Sequence, residues 1–233
     1  METKVRRSKR RMAVGLAGLA VAVSSISIGV AGLLGWFAPS GAPDAKPFKV
    51  RTSTALAAAP KRQLEAAASQ TPAPFIPVSV SIPSVGIGTV KVTPEGDPGG
   101  VLGVPAIQNG WGWWYGGAEP GTGKGTILMD GHVDWYGYGN GPAHQIWYVK
   151  PGTLATVYGP NGEARTYVAV SLQTYLKTSL SSVAGNLFSQ QGPERLVIVT
   201  CGGSFDYGAG SWNSNVIATF VPVDGIVAGH TVP

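Results

Sequence analysis

The fold is indicated by a short stretch, RLVIVTCGG at residues 195–203, which reads as one buried strand followed by a flexible turn. Four consecutive apolar residues are typical of a strand that is covered on both faces. Cys201 stands where this strand ends, and it is the only cysteine among the 233 residues. A lone cysteine cannot form a disulfide within its own chain. We therefore weigh a reactive thiol against an intermolecular link and against a small buried hydrophobe.

Several other segments have the composition of strands and are separated by turn residues. They are VSVSI at 78–82, TVKV at 89–92, GTILMDGH at 125–132, a hairpin at 154–170, RLVIVT at 195–200 and SNVIATFVPV at 214–223. The chain holds 34 Gly and 18 Pro but only 12% charged residues, which favours a turn-rich β protein. SSVAGNLFSQ at 181–190 is the best candidate for a short helix. These features predict an all-β domain that forms a closed or nearly closed barrel.

The N-terminal region has the pattern of a membrane anchor. Residues 1–12 hold six basic residues and one acidic residue, and residues 13–38 contain no charge. A helix of that length would span roughly 39 Å, enough for a hydrocarbon core of about 30 Å. The basic flank predicts a cytoplasmic tail, a single-pass cell-membrane protein and an extracellular domain. The alternative is a cleaved signal peptide, although such apolar regions are usually shorter. Residues 39–75 are rich in Ala and Pro and predict a linker, and residues 76–233 form the predicted folded domain.

The charge distribution argues against a nucleic-acid partner. The net charge of +5 arises entirely in residues 1–12, because the other 221 residues hold 11 basic and 11 acidic side chains. A nucleic-acid-binding domain would need a basic face on its folded part. No cofactor motif and no acidic loop with calcium-binding spacing is present. We therefore expect no nucleic-acid partner, no cofactor and no metal site.

Two candidate catalytic side chains each follow a predicted strand. His132 ends ILMDGH and Cys201 ends VIVTC, and neighbouring strand ends can bring such residues together at one rim of a barrel. An imidazole can generate or stabilise the thiolate that makes cysteine a nucleophile. Gly202 and Gly203 would let the backbone approach a substrate carbonyl and direct N–H groups at an oxyanion. The structural alternative is a buried, unreactive Cys201 and a hydrogen-bonded turn histidine.

GHVD at 131–134 and VTCGGSFD at 199–206 resemble the two signature segments of sortases, the membrane-anchored cysteine transpeptidases of Gram-positive bacteria. The similarity is greatest to the actinobacterial class F type. VSVSIPSVGI at 78–87 and GWWYGGAEPG at 112–121 also match in order, so that the resemblance covers residues 76–223. It implies the eight-stranded sortase β-barrel with short helices, preceded by a transmembrane helix.

The resemblance also implies site residues. Cys201 matches the family nucleophile and His132 the family histidine. The family's arginine belongs in a YRDN segment, which reads WNSN at 212–215 here, so that Asn213 occupies the arginine position. An asparagine amide can donate a hydrogen bond to an oxyanion, but it lacks the charge and the fork of a guanidinium.

Four further residues are candidates for substrate binding: Thr200, Gly202, Gly203 and Trp114. Thr200 should point away from Cys201 in a regular strand, which favours packing over catalysis. Trp114 and its aromatic neighbours could line a substrate groove or pack one end of the barrel. Asp134 could orient His132 or cap the turn after it.

The implied activity is cleavage of a sorting signal in a surface protein through an acyl-thioester, followed by transfer to a cell-wall amine. The implied partners are the sorting-signal peptide, a cell-wall precursor amine and the cytoplasmic membrane. The missing arginine leaves an alternative, a degenerate sortase-fold protein that binds surface polypeptides with little turnover. An L,D-transpeptidase is less favoured, because that family resembles S-x-G-C whereas a threonine precedes Cys201 here.

Overall fold

The computed structural model describes residue 60 and residues 73–100 and 102–223. The predicted tail at 1–12, the predicted transmembrane segment at 13–38 and most of the predicted linker lie outside these residues. Within the part that is described, no helix is both long and apolar enough to cross a membrane.

Ten strands and one α-helix make up the described chain, together with four short 3₁₀ helices. The strands are β1 (Ser79–Ile82), β2 (Ile87–Glu95), β3 (Trp111–Trp114), β4 (Thr126–Gly131), β5 (Asp134–Trp135), β6 (Gly139–Asn140), β7 (Leu154–Tyr158), β8 (Ala164–Leu176), β9 (Arg195–Asp206) and β10 (Ser211–Pro222). The α-helix, α1, is Ser181–Leu187, and the 3₁₀ helices are Pro83–Val85, Pro98–Gly100, Pro142–Tyr148 and Lys177–Ser179.

Eight of the strands close into a barrel in the order β1-β2-β3-β4-β9-β10-β8-β7, and β7 pairs with β1 to complete it. The pairs β2–β3 and β4–β9 are parallel, whereas the other pairs are antiparallel. β5 and β6 form a separate two-stranded ribbon directly after β4. The predicted all-β, eight-stranded barrel is confirmed.

Two apolar clusters cover the two faces of β4, β9 and β10. The inner core fills the barrel and includes Met129, Ile198 and Phe220. The outer cluster includes Leu128, Val199, Cys201 and Ile217, with Val183 and Leu187 of α1 packed against it. Because side chains alternate along a strand, burial on both faces gives the continuous apolar run that β9 shows in the sequence.

The strand segments predicted from the sequence are all present, and several are longer than predicted. The hairpin forms as β7 and β8, and β8 continues to Leu176 instead of ending near residue 170. The helix candidate appears as α1. β3 was not predicted as a strand, because all four of its residues are buried and WGWW shows no alternation between apolar and polar positions.

Candidate active site

The parallel pairing of β4 with β9 brings His132 and Cys201 to the same end of the barrel. Asp130 aligns with Val199 and Gly131 with Thr200, so the next residue on each chain is His132 and Cys201. Both side chains lie on the outer face and are mostly buried, with exposed fractions of 8% for His132 and 4% for Cys201. The structure therefore brings the two predicted catalytic residues side by side where the β4–β9 ladder ends. The prediction that the strand stops at Cys201 is wrong, because β9 continues to Asp206 by pairing with β10.

His132 is held by a backbone carbonyl. Its Nε2 lies 3.0 Å from the carbonyl oxygen of Pro105. A carbonyl can only accept a hydrogen bond, so Nε2 carries the hydrogen and the neutral ring leaves Nδ1 as a free base. The ring also packs edge-on against Trp135, with 4.8 Å between the ring centroids. Burial lowers the pKa of His132, although the Pro105 carbonyl and the negative charge of Asp134 oppose that change.

Burial also has the largest effect on the pKa of the Cys201 thiol, which it raises. The nearby ammonium of Lys177 opposes this effect by charge and by a side-chain hydrogen bond. The charges of Asp134 and Asp130 raise the thiol pKa further. Among the described residues, His132 and Cys201 share no direct hydrogen bond. The lowered pKa of the imidazole and the raised pKa of the thiol both favour a neutral imidazole beside a neutral thiol in the resting site.

Asn213 sits at a register shift between β9 and β10. Trp212 pairs with Phe205 but Ser214 pairs with Gly202, so Gly203 and Ser204 of β9 form a bulge opposite Asn213 of β10. Its side-chain oxygen accepts hydrogen bonds from the Ser204 backbone N–H at 3.1 Å and from the Ser214 hydroxyl at 2.7 Å. These contacts hold the bulge in shape, and the side chain is exposed at the rim. Its role at the family's arginine position stays a prediction.

A sequence model of the Sortase domain matches residues 80–223, which is more than half of the chain. The chain belongs to the sortase family. No curated protein matches its sequence.

Several solved sortase structures are similar to this chain at low sequence identity. Sortase A from Corynebacterium diphtheriae is 18% identical with a TM-score of 0.48, over 65% of this chain and 62% of that one. The chain thus spans less than two thirds of that relative. Sortase C1 from Streptococcus agalactiae is 17% identical with a TM-score of 0.46, over 70% of this chain and 76% of that one. The SrtA sortase from Actinomyces oris is 12% identical with a TM-score of 0.48, over 66% of this chain and 87% of that one.

Two residues of this sortase that the sequence did not single out lie beside the nucleophile. Asn215 pairs directly with Cys201 across β9 and β10, and it pairs with Tyr175 on β8. It is fully buried, and its side-chain nitrogen and oxygen have no hydrogen-bond partner among the described residues. Lys177 follows the end of β8, and its Nζ lies 3.0 Å from the Ser211 hydroxyl. Both positions depend on strand register, which the sequence does not display.

The predicted substrate-binding residues are mostly enclosed. Thr200 is fully buried and its hydroxyl donates to the Gly131 carbonyl at 2.9 Å, which ties β9 to β4. Trp114 lies buried in the outer cluster, and its ring lies against the turn at Gly116. These positions favour the packing alternative for both residues, and their contact with a substrate stays a prediction.

The two glycines after the nucleophile are required by the close approach of β10. A Cβ on Gly202 would lie 2.5 Å from a Val216 methyl carbon. Gly203 has φ +81°, and a Cβ there would lie 2.4 Å from the side-chain oxygen of Asn213. Gly203 is exposed, so its backbone is open to a ligand, whereas Gly202 is buried. Their predicted part in binding substrate is not tested by these contacts.

An aromatic wall of Trp147, Trp212 and Phe205 borders the site. The Trp147 indole N–H donates to the Cys201 carbonyl at 3.0 Å, and its ring meets that of Trp212 edge-on at 5.5 Å. Trp212 also packs edge-on against Phe205 and donates its N–H to Asp134 at 3.1 Å. Asp134 therefore anchors Trp212, and its influence on His132 is through charge. The wall offers apolar surface for a polypeptide next to the thiol.

Proposed function

We propose that this sortase-family chain is a cysteine transpeptidase that cleaves a sorting signal in a surface protein. The observation that carries the proposal is the alignment of His132 and Cys201 at the point where the parallel β4–β9 ladder ends, within the family domain. A thiol and an imidazole on neighbouring strands are the two groups that acyl transfer through a thioester requires. Class F membership rests on the resemblance in the signature segments alone.

In the proposed reaction, Nδ1 of His132 takes the thiol proton and the sulfur of Cys201 attacks the carbonyl carbon of the scissile peptide bond. The tetrahedral oxyanion then collapses and the C–N bond breaks. The leaving amine takes the proton from the His132 imidazolium, and an acyl-thioester remains on Cys201. An incoming amine attacks the thioester and gives its proton to His132. The C–S bond breaks, the sulfur recovers the proton, and one peptide bond has been exchanged for another without any net redox change.

The proposed acceptor is an amine of a cell-wall precursor, with water as a slow substitute. Residues 13–38 are proposed to anchor the protein in the cell membrane with the N-terminus inside and the catalytic domain outside. The proposal includes no nucleic acid, no cofactor and no metal.

A second candidate function is a degenerate sortase-fold protein that binds surface polypeptides with little turnover. It is favoured by Asn213 at the position expected for arginine, and by the missing hydrogen bond between His132 and Cys201 among the described residues. The substitution Asn213→Arg separates the two candidates. A gain of activity from an undetectable level supports the degenerate protein, whereas a fall from a measurable level supports a working enzyme.

The deciding experiment is mass spectrometry of the full chain after incubation with a panel of sorting-signal peptides, with and without an amine acceptor. We expect an acyl adduct on Cys201 and a transpeptidation product, both absent from the Cys201→Ala variant. A chain that forms neither adduct nor product with any peptide, yet binds one of them, would establish the degenerate function instead.

A further inference from the structure

We infer that the Lys177 ammonium is the catalytic cation of this site, stabilising the negative charge on the Cys201 sulfur and on the oxyanion of the acyl-transfer intermediates. The inference rests on the proposed function for its oxyanion part. It assigns to Lys177, the first residue of the 3₁₀ helix that follows β8, the positive charge that the WNSN segment does not provide.

Strand register places Lys177 close to the row of residues that contains the thiol. Cys201 on β9 pairs with Asn215 on β10, which pairs with Tyr175 on β8. Directly paired residues point to the same face of a sheet, so these three side chains form one row on the outer face. Lys177 begins the 3₁₀ helix two residues after Tyr175 and therefore lies beside the end of that row.

The lysine side chain is positioned to reach back across β10. Neighbouring strands lie about 4.8 Å apart, so the Cys201 and Tyr175 backbones are separated by roughly 10 Å. A long aliphatic stem is needed to cover that distance. The Ser211 hydroxyl, at 3.0 Å from Nζ, holds the ammonium over β10, and the side chain is only half-buried. From there the positive charge of the ammonium acts on the thiol.

Other cations in the described chain are placed elsewhere. Arg165 forms an ion pair with Glu194 at 2.8 Å. Arg195 donates to the Thr126 hydroxyl at 2.8 Å and to the Asn186 carbonyl at 2.6 Å, at the start of β9 and six residues before Cys201. The three remaining lysines in residues 73–100 and 102–223 are Lys91 on β2, Lys124 before β4 and Lys150 before β7. Among the cations of these residues, Lys177 is the one whose charge lowers the thiol pKa.

A cation is needed here because the site is apolar and also contains acidic groups. Cys201 is enclosed by the outer cluster, and the charges that face it besides Lys177 are Asp134 and Asp130, with His132 alongside. Forming a thiolate or an oxyanion in such surroundings is costly unless a positive charge or a hydrogen-bond donor offsets it. The ammonium supplies both.

The test uses the chain's single cysteine. Iodoacetamide alkylation of the full chain reports Cys201 alone, with Cys201→Ala as the blank, and its rate is measured from pH 5 to pH 10. An opposite charge close to an ionisable group typically changes its pKa by about 1–3 units. We expect Lys177→Met to lower the alkylation rate at pH 7 by about tenfold or more and to move the midpoint to higher pH. Lys177→Arg should stay within about threefold of the wild type, because the charge is retained.

Lys124→Met is the matched control, because this exposed lysine precedes β4 at the opposite end of that strand from His132. It should leave the alkylation profile unchanged. Thermal unfolding checks that each variant is folded, and Lys177→Gln replaces Lys177→Met with the same expectation if the latter does not fold. If the alkylation rate depends on pH in the same way in the wild type and in the neutral Lys177 variant, the inference is overturned.

The outcome is independent of the proposed function, because alkylation needs no sorting signal. Absence of peptide turnover by the wild type would refute the transpeptidase, whereas an unchanged alkylation profile would refute the role of Lys177. Where turnover is measured, a cation that acts on the transition state predicts a fall in kcat of about 10²-fold with little change in KM.

Discussion

The thiol of Cys201 is expected to be almost entirely protonated at neutral pH, with His132 uncharged beside it. Burial raises the pKa of Cys201 above its ordinary value of 9.0 and lowers the pKa of His132 below its ordinary value of 6.5. A thiol pKa above 9 leaves at most about 1% thiolate at pH 7. Because the thiol pKa lies above the imidazole pKa, the thiolate–imidazolium pair is a minor form of the resting site.

The rate of iodoacetamide alkylation as a function of pH measures the thiolate fraction of Cys201 directly. The rate should keep rising beyond pH 9, and at pH 7 it should be about 1% of the limiting rate or less. In a peptide assay, kcat/KM should follow a bell with its acid limb below pH 6.5 and its alkaline limb above pH 9.

His132→Gln provides the decisive comparison. Because His132 makes no hydrogen bond to the sulfur in the resting site, this variant should alkylate at pH 7 within about threefold of the wild type while losing peptide turnover by about 10²-fold or more. An alkylation rate that is level between pH 5 and pH 8, and that collapses in His132→Gln, would show a preformed thiolate–imidazolium pair and refute the reasoning.

Three further predictions concern the surroundings of the site. Burial holds the pKa of Asp130 well above its ordinary value, so the folded state binds its proton more tightly than the unfolded state, and stability is lost as pH rises through that range. Asp130→Asn should therefore raise the melting temperature at pH 7 and flatten its decline above pH 4; an unchanged pH dependence would contradict this. Gly203→Ala should cost about 2–4 kcal/mol in urea unfolding, because it adds a Cβ clash to the strain at φ +81°. Gly162→Ala, at φ +89° with nothing within 4 Å of its Cβ, should cost only about 1–2 kcal/mol, and equal costs would exclude the clash. Asn215→Leu should leave the free energy of unfolding unchanged or raise it by about 1–2 kcal/mol, because it removes a buried amide without a hydrogen-bond partner. The same variant should lower kcat about 10²-fold. Unaltered turnover would show that the amide has no part in the reaction.

The proximity of Cys201 and His132 could be predicted from the sequence because each follows an apolar run within a local motif. Those runs are apolar since β9 and β4 are buried on both faces, although β9 continues past Cys201 to Asp206 instead of turning there. Two short motifs in the right order were then enough to indicate that the two residues lie on neighbouring strands. Their parallel pairing confirms that they meet.

Lys177 and Asn215 could not be predicted in the same way, because their positions follow from pairing between distant strands. Leu176 meets Ser214 across β8 and β10, and no local pattern encodes that register. The sequence also predicts an end of the hairpin near residue 170, whereas β8 continues to Leu176 and so carries the chain on to Lys177. Motif comparison directed attention to Asn213, whereas the bulge there commits its side-chain oxygen to Ser204 and Ser214.

The Pro105 carbonyl gives His132 a fixed position throughout a proton-transfer cycle. Nε2 carries its hydrogen in both the neutral and the protonated imidazole, so the bond to Pro105 persists in both states. Proton gain and loss are then confined to Nδ1, and the ring need not reorient between accepting the thiol proton and delivering it to the leaving amine. Burial lowers the population of each charged state. Because the ring is already oriented, however, every molecule that reaches the charged state is also in the geometry for proton transfer. The burial that disfavours the thiolate therefore also fixes the orientation of the His132 ring. With the ring fixed, a small population of the ionic form is sufficient for catalysis.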